Sequence, residues 1–329
     1  MILPSRPRRR VARRLTAAGI LLLGLAGCAT PQLQALLETG SPALPQKTEL
    51  EAVPFYAQDE YQCGPAALAM LLEAGGKTIT PDALRPQVYL PDRQGSLQVE
   101  MLAAARRNGF VAVELSPKLS DLLQEIAGGN PPVVLQNLAL DWVPAWHYAV
   151  AVGYDLQART IVLRSGTERR LELPLSTFER TWQRSGYWAM LALPPGRFPA
   201  SVRPAEYMTA VTRLEKAGSP EVAHAAYQRA LERWPDQFTA LMGLGNTAHR
   251  AGDFEGAERA FRRATVAYPQ SAAAHNNLAQ TLADLDRYDE ALAEARLAVG
   301  LGGPLEDTSI RTLDAIVKRT GRGEQEWNK

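Results

Sequence analysis

Residues 61–70 read YQCGPAALAM, and the run continues as LLEAGG to Gly76. Apolar residues at helical spacing after Cys63 and paired glycines at the end predict a helix that begins at the cysteine. At a helix N-terminus the macrodipole and the free backbone N–H groups favour a thiolate, which is one reading of Cys63. A small buried residue that happens to carry a thiol is the other, since cysteine is among the residue types most often fully buried.

Downstream of this helix the pattern stays mixed. PDALRPQVYLP (81–91) reads as a short helix or turn, SLQVEMLAAARRNGF (96–110) as a firmer helix, VAVELSP (111–117) as a strand and LSDLLQEIAGG (119–129) as a helix. After Pro132 the chain becomes strand-like, with PVVLQNL, HYAVAVGYD, RTIVLRSG, RRLELPL and GYWAMLALP separated by turn-forming residues. Helices first and an antiparallel sheet afterwards predict an α+β domain over 49–195.

The four histidines sharpen the question posed by Cys63. His224, His249 and His275 lie in the C-terminal part, so His147 is the one histidine of the first domain. It opens the alternating strand HYAVAVGYD and follows Trp142 and Trp146. A residue at a strand end can face a cleft and act as a base, or can be a hydrogen-bonded structural histidine.

PPGRFPASVRP (194–204) carries four prolines and marks a boundary, with 196–204 expected as a linker. Beyond it the chain repeats. Pro235 and Pro269 stand 34 residues apart, as do Ala223, Ala257 and Ala291, and again Ala230, Ala264 and Ala298. A period of 34 with small residues at fixed offsets is the tetratricopeptide signature. About three repeats are expected over 205–305, closed by a polar capping helix and tail over 306–329. A protein partner for the repeats follows from that architecture, because stacked helix pairs form a concave surface.

The first residues differ from all of this. Six arginines between Arg6 and Arg14 precede the apolar run LTAAGILLLGLAG (15–27), as in a secretory signal. LAGC, ending at Cys28, resembles the lipobox of bacterial lipoproteins, which implies acylation of Cys28, removal of 1–27 and a membrane held by the lipid anchor. Ala29 after the cysteine implies the outer membrane, facing the periplasm, and 28–48 is expected as a tether. Six of the 36 basic residues lie in the removed segment, so the remaining chain carries about five more acidic than basic groups. That balance excludes a nucleic-acid partner. With Cys28 lipidated, Cys63 is the single free thiol in an oxidising compartment and has no internal disulfide partner.

Taken together, VPFYAQDEYQCGPAALAMLLEAGG, PPVVLQN, HYAVAVGYD, LPLSTFERTW and YWAMLALP resemble the bacteriocin-processing, double-glycine-leader cysteine peptidases and their relatives. The resemblance covers roughly 49–195 and implies a papain-like fold. It further implies that Cys63 attacks the scissile carbonyl, that His147 serves as base and then acid, and that Gln58 supports the oxyanion, with Gln62 a less suitable substitute. Relatives orient the histidine with an Asp on the next strand. Here VLRSG puts Arg164 or Ser165 at that place, with Ser165 the better partner and Asp155 in the intervening turn ranked below it.

No competing chemistry stands out: there is no His-Glu-x-x-His, no cysteine pair at metal spacing and no Walker loop, so neither cofactor nor metal is expected. Two functional readings stay open. One is a membrane-anchored cysteine peptidase acting on a peptide or protein substrate; the other is an inactive or slow peptidase-like scaffold that binds peptides in the cell envelope.

Overall fold

The computed structural model describes residues 30–40, 44–57 and 62–320. Gln58, Cys28 and the expected signal segment therefore lie outside the described residues, as do 321–329 of the expected tail.

Helix α1 (Pro31–Thr39) and strand β1 (Lys47–Glu49) come first, then α2 (Cys63–Ala74), α3 (Pro81–Val88) and a small hairpin of β2 (Tyr89–Leu90) and β3 (Gly95–Ser96). There follow α4 (Gln98–Arg107), β4 (Val111–Glu114), α5 (Leu119–Ala127), β5 (Val133–Asn137), β6 (Trp146–Asp155), β7 (Thr160–Ser165), β8 (Glu168–Pro174), α6 (Leu175–Gln183) and β9 (Ala189–Leu193). Among the described residues seven strands form one antiparallel sheet in the order β4-β9-β5-β6-β7-β8, with β1 paired to the far end of β6. The α+β expectation is borne out.

Strand periodicity sorts side chains onto two faces. Ala112, Val133, Leu135, Tyr148, Val150 and Val152 face one core with Leu68, Leu72, Leu84 and Met101 of α2, α3 and α4. Val111, Val113, Val134, Ala149 and Ala151 face the other, with Leu122 and Ile126 of α5 and Phe178 and Trp182 of α6. A bulge between Ala151 and Gly153 reverses the alternation in β6, and Tyr154 consequently joins the second core. Gly153 is required there because a Cβ would lie 2.8 Å from the Thr48 carbonyl of β1.

Two segments differ from expectation. Within the region read as a tether, α1 is docked: the backbone N–H groups of Gln32 and Leu33 both donate to the buried Glu179 carboxylate at 2.9 Å, and β1 is part of the sheet. A charge at a helix N-terminus satisfies otherwise free donors, and that long-range partner overrides the flexible composition. The expected linker is docked as well. The fully buried Glu125 carboxylate accepts from Ala200 N at 2.9 Å, Ser201 N at 2.7 Å and Ser201 Oγ at 2.6 Å.

The C-terminal part is helical throughout: α7 (Pro204–Lys216), α8 (Pro220–Arg233), α9 (Phe238–Arg250), α10 (Phe254–Ala267), α11 (Ala272–Asp284), α12 (Tyr288–Leu301) and α13 (Glu306–Thr320). The repeated alanines, such as Ala223, Ala257 and Ala291, are completely buried, as close helix crossing requires. On α13 only Ser309 and Ile316 are buried, and Arg319 ties it to Asp284 of α11 at 2.8 Å. Tyr207, Met208 and Val211 of α7 belong to the same hydrophobic core as Val111, Val113 and Leu193 of the sheet. Phe198 bridges the parts, 5.2 Å from the Tyr207 ring and 5.1 Å from Trp234. One core thus runs from the sheet through the first helix pair and on to Leu241, Ala264 and Ala274 of the following helices.

Candidate active site

Cys63 opens α2, whose N-cap Gln62 makes no side-chain cap bond, so the first-turn N–H groups are left to the site. All nine positions from Gly64 to Leu72 carry apolar or small uncharged residues and all are buried; the helix is therefore fixed as a core element with its thiol at the rim. Gly64 allows the close approach of the β2–β3 hairpin: a Cβ there would lie 2.6 Å from the Ser96 Cβ. Burial pushes the Cys63 thiol above its ordinary value, opposed by the nearby backbone N–H groups of Tyr148, Gly64 and Cys63 itself.

The sulfur thus lies near the backbone of β6, in the same cleft as His147. His147 stands opposite Gln136 of β5, and its neighbour Trp146 opposite Asn137. Its Nε2 lies 2.8 Å from Ser165 Oγ at the end of β7. Burial lowers the pKa of the imidazole, so both members of the Cys–His couple are biased toward their neutral forms.

The other residues weighed for orienting His147 are engaged elsewhere. Arg164 is buried and donates to the Arg169 carbonyl at 2.6 Å and to the Glu51 and Val53 carbonyls at 3.4 and 3.5 Å. Asp155 staples its turn, accepting from Ala158 N at 2.8 Å and pairing with Lys47 at 3.4 Å. The histidines of the repeats are likewise held: His224 by Thr247, His249 by Asp284 and His275 by Glu294.

Cys63 and His147 both line a cleft of about 910 Å³. One wall is the β2–β3 hairpin and the residues after it, from Asp92 to Gln98, which the sequence reading passed over; the turn-forming Pro91 and Gly95 around DRQ were the available signal. That wall is pinned to the His147 strand, because Tyr148 Oη donates to the Ser96 carbonyl at 3.1 Å. The opposite wall is Pro144, Ala145 and Trp146, with Leu135 and Ser185 behind. A cleft of this size with one thiol and one imidazole at its floor suits nucleophilic attack on an extended chain.

Fold and site together define a cysteine-peptidase-like α+β domain followed by helical repeats. Residues 50–190 match the Peptidase_C39 like family, and residues 208–271 and 247–304 match the tetratricopeptide repeat. The chain joins a C39-like peptidase domain to tetratricopeptide repeats, as its sequence motifs lead one to expect. Among solved structures, a Bacillus anthracis protein assigned as a C39-like peptidase is 21% identical, with 45% of this chain and 98% of that chain covered and a TM-score of 0.38. MamA of AMB-1 is 23% identical over 36% of this chain and 66% of its own, and MamA of MSR-1 is 21% identical over 38% and 71%, both with TM-scores of 0.33. No curated protein matches the chain significantly.

Proposed function

We propose that this protein is a membrane-anchored cysteine peptidase of the bacterial cell envelope, lipidated at Cys28 and facing the periplasm, whose repeats bind a substrate or partner protein. The observation that carries the reading is that Cys63 at the start of α2 and His147 near the start of β6 line one cleft, with Ser165 bonded to His147.

The two burial shifts favour a resting couple of thiol and neutral imidazole. With Nε2 occupied by Ser165, Nδ1 is the nitrogen that takes the proton, and Ser165 Oγ accepts from Nε2–H to hold that tautomer. As Sγ attacks the scissile carbonyl carbon, its proton passes to His147. The tetrahedral oxyanion is met by N–H groups at the α2 N-terminus, with Gln58 the expected side-chain donor. Collapse breaks the C–N bond, His147 returns the proton to the leaving amine, and a thioester on Cys63 remains. Water then attacks the thioester with His147 as base, releasing the acid and restoring the thiol.

A specific feature favours the rival reading of a peptide-binding scaffold with little or no turnover. Ser165 is uncharged where an acid would stabilise the imidazolium, and a neutral partner leaves the ion pair less populated. Cleavage of a peptide library by the purified chain under reducing conditions separates the two. Turnover that disappears in Cys63→Ala supports the peptidase. A folded wild type that is neither active nor labelled by a thiol-directed peptidase probe overturns it.

A further inference from the structure

Exposed apolar side chains are concentrated in one place. Of the 13 large hydrophobic residues exposed among the described residues, five lie in the loop between β5 and β6 and the first residue of β6: Leu138 (53%), Leu140 (51%), Trp142 (78%), Val143 (64%) and Trp146 (52%). The loop reads LALDWVPAW, with Asp141 its one charge. It is an ordered projection. Leu138 N donates to the Ala145 carbonyl at 2.9 Å and Val143 N to the Leu140 carbonyl at 3.1 Å. At its base the buried Asn137 accepts from Ala139 N at 3.1 Å and Ala145 N at 2.9 Å. An apolar tip held out by its own hydrogen bonds has already lost the entropy that a docking event would otherwise cost.

Where the loop is attached says what it meets. Helix α6 holds both the loop and the start of the described chain. Glu179 of α6 accepts from Gln32 and Leu33, while Arg184, its C-cap, donates to the Asn137 carbonyl at 3.0 Å and, more closely, to that of Ala139. Five residues along a helix span about 7.5 Å. Cys28 precedes Gln32 by four residues, a reach of at most about 14 Å. A bilayer that holds the acyl chains of Cys28 is therefore within reach of the same helix that carries the loop. Trp142 and Val143 do not line the cleft, whereas Pro144, Ala145 and Trp146 do, so the loop has an outer apolar side turned away from the catalytic floor.

We propose that the outer side of the Leu138–Trp146 loop inserts into the lipid interface of the membrane that anchors the chain. Tryptophan with flanking Leu and Val is the side-chain chemistry that settles at the boundary between headgroups and acyl chains. Pro144–Trp146 form the inner side of the same loop, so insertion brings the cleft mouth to the bilayer surface, where chain segments emerging from a membrane would enter it. The proposal rests on the reading of Cys28 as lipidated.

The test uses the full acylated chain in vesicles of phosphatidylethanolamine and phosphatidylglycerol with brominated acyl chains, comparing wild type with Trp142→Ser and Val143→Asp. Flotation reports anchoring and bromine quenching of tryptophan emission reports insertion. The expected result is flotation of all three chains, quenching in wild type, and loss of most of the quenched component in both variants, with unchanged thermal unfolding. Equal quenching in all three, or none in wild type that floats, overturns the insertion while leaving anchoring intact. A wild type that does not float overturns both. Variants that keep the quenching but raise KM for a soluble peptide, or abolish self-association, assign the loop to substrate or to a second copy and overturn the proposal.

Discussion

Replacing Ser165 tests whether its contact with His147 governs the thiol. The contact is a single uncharged hydrogen bond of 2.8 Å to an imidazole whose pKa burial has lowered. Such a bond contributes about 0.5–1.5 kcal/mol, so Ser165→Ala should slow Cys63 alkylation about 2- to 12-fold at neutral pH. Ser165→Asp works in the opposite direction. A carboxylate at hydrogen-bond distance favours the imidazolium and raises the histidine pKa by about 1–3 units. Each unit increases the thiolate–imidazolium population about tenfold, so alkylation at neutral pH rises by at least that factor. In wild type the thiol is raised and the imidazole lowered, so reactivity climbs with pH as the thiol itself ionises, without a plateau set by the ion pair. In Ser165→Asp a plateau should open between the two pKa values. The assay is iodoacetamide modification of the Cys28→Ser chain, in which Cys63 is the one remaining thiol of the sequence, followed by mass spectrometry across the pH range. No substrate need be known. Identical profiles for Ser, Ala and Asp at position 165 would refute the assignment of Ser165 as the residue that orients His147.

Other substitutions probe the buried acids. Glu125→Ala removes the acceptor of Ala200 N, Ser201 N and Ser201 Oγ, and should cost about 3 kcal/mol or more because donors are left without a partner, read as a drop in the urea midpoint. Glu179→Ala releases the two N–H groups of α1 and should cost about 1–3 kcal/mol; limited proteolysis should then remove the segment before Leu44 well ahead of global unfolding. Cys63→Ala should abolish thiol-directed labelling and peptide hydrolysis while keeping the wild-type circular dichroism. Retained hydrolysis in that variant would transfer the chemistry to another group.

Cys63 and His147 were legible because each type is scarce in the first domain and each sits at the start of a strongly patterned element. Ser165 was legible by counting along the strands after His147, a count that antiparallel pairing of β6 with β7 makes meaningful in space. Glu179 and Glu125 were not legible. Partners of theirs stand 147 and 76 positions away in the chain, and a glutamate in a helix reads the same whether it faces water or receives N–H and O–H donors. For the same reason α1 read as tether: its nine residues are too few to hold a helix alone, and the carboxylate that stabilises its N-terminus comes from α6. The β2–β3 hairpin escaped because strands of two residues carry no periodicity.

For the peptidase proposed above, the core shared by the sheet and α7 would bear on how substrates are chosen. A junction that buries Tyr207, Met208 and Val211 in one core with Val111 and Val113 opposes free rotation of the repeats relative to the cleft. A polypeptide gripped by the repeats would then approach Cys63 from a restricted direction. Its effective concentration at the thiol is high only when the stretch between grip and cut matches that fixed span, and falls away for shorter or longer stretches. Selection would then work as a ruler laid along the polypeptide, counting residues between two marks, so that even a permissive cleft would cut at few positions.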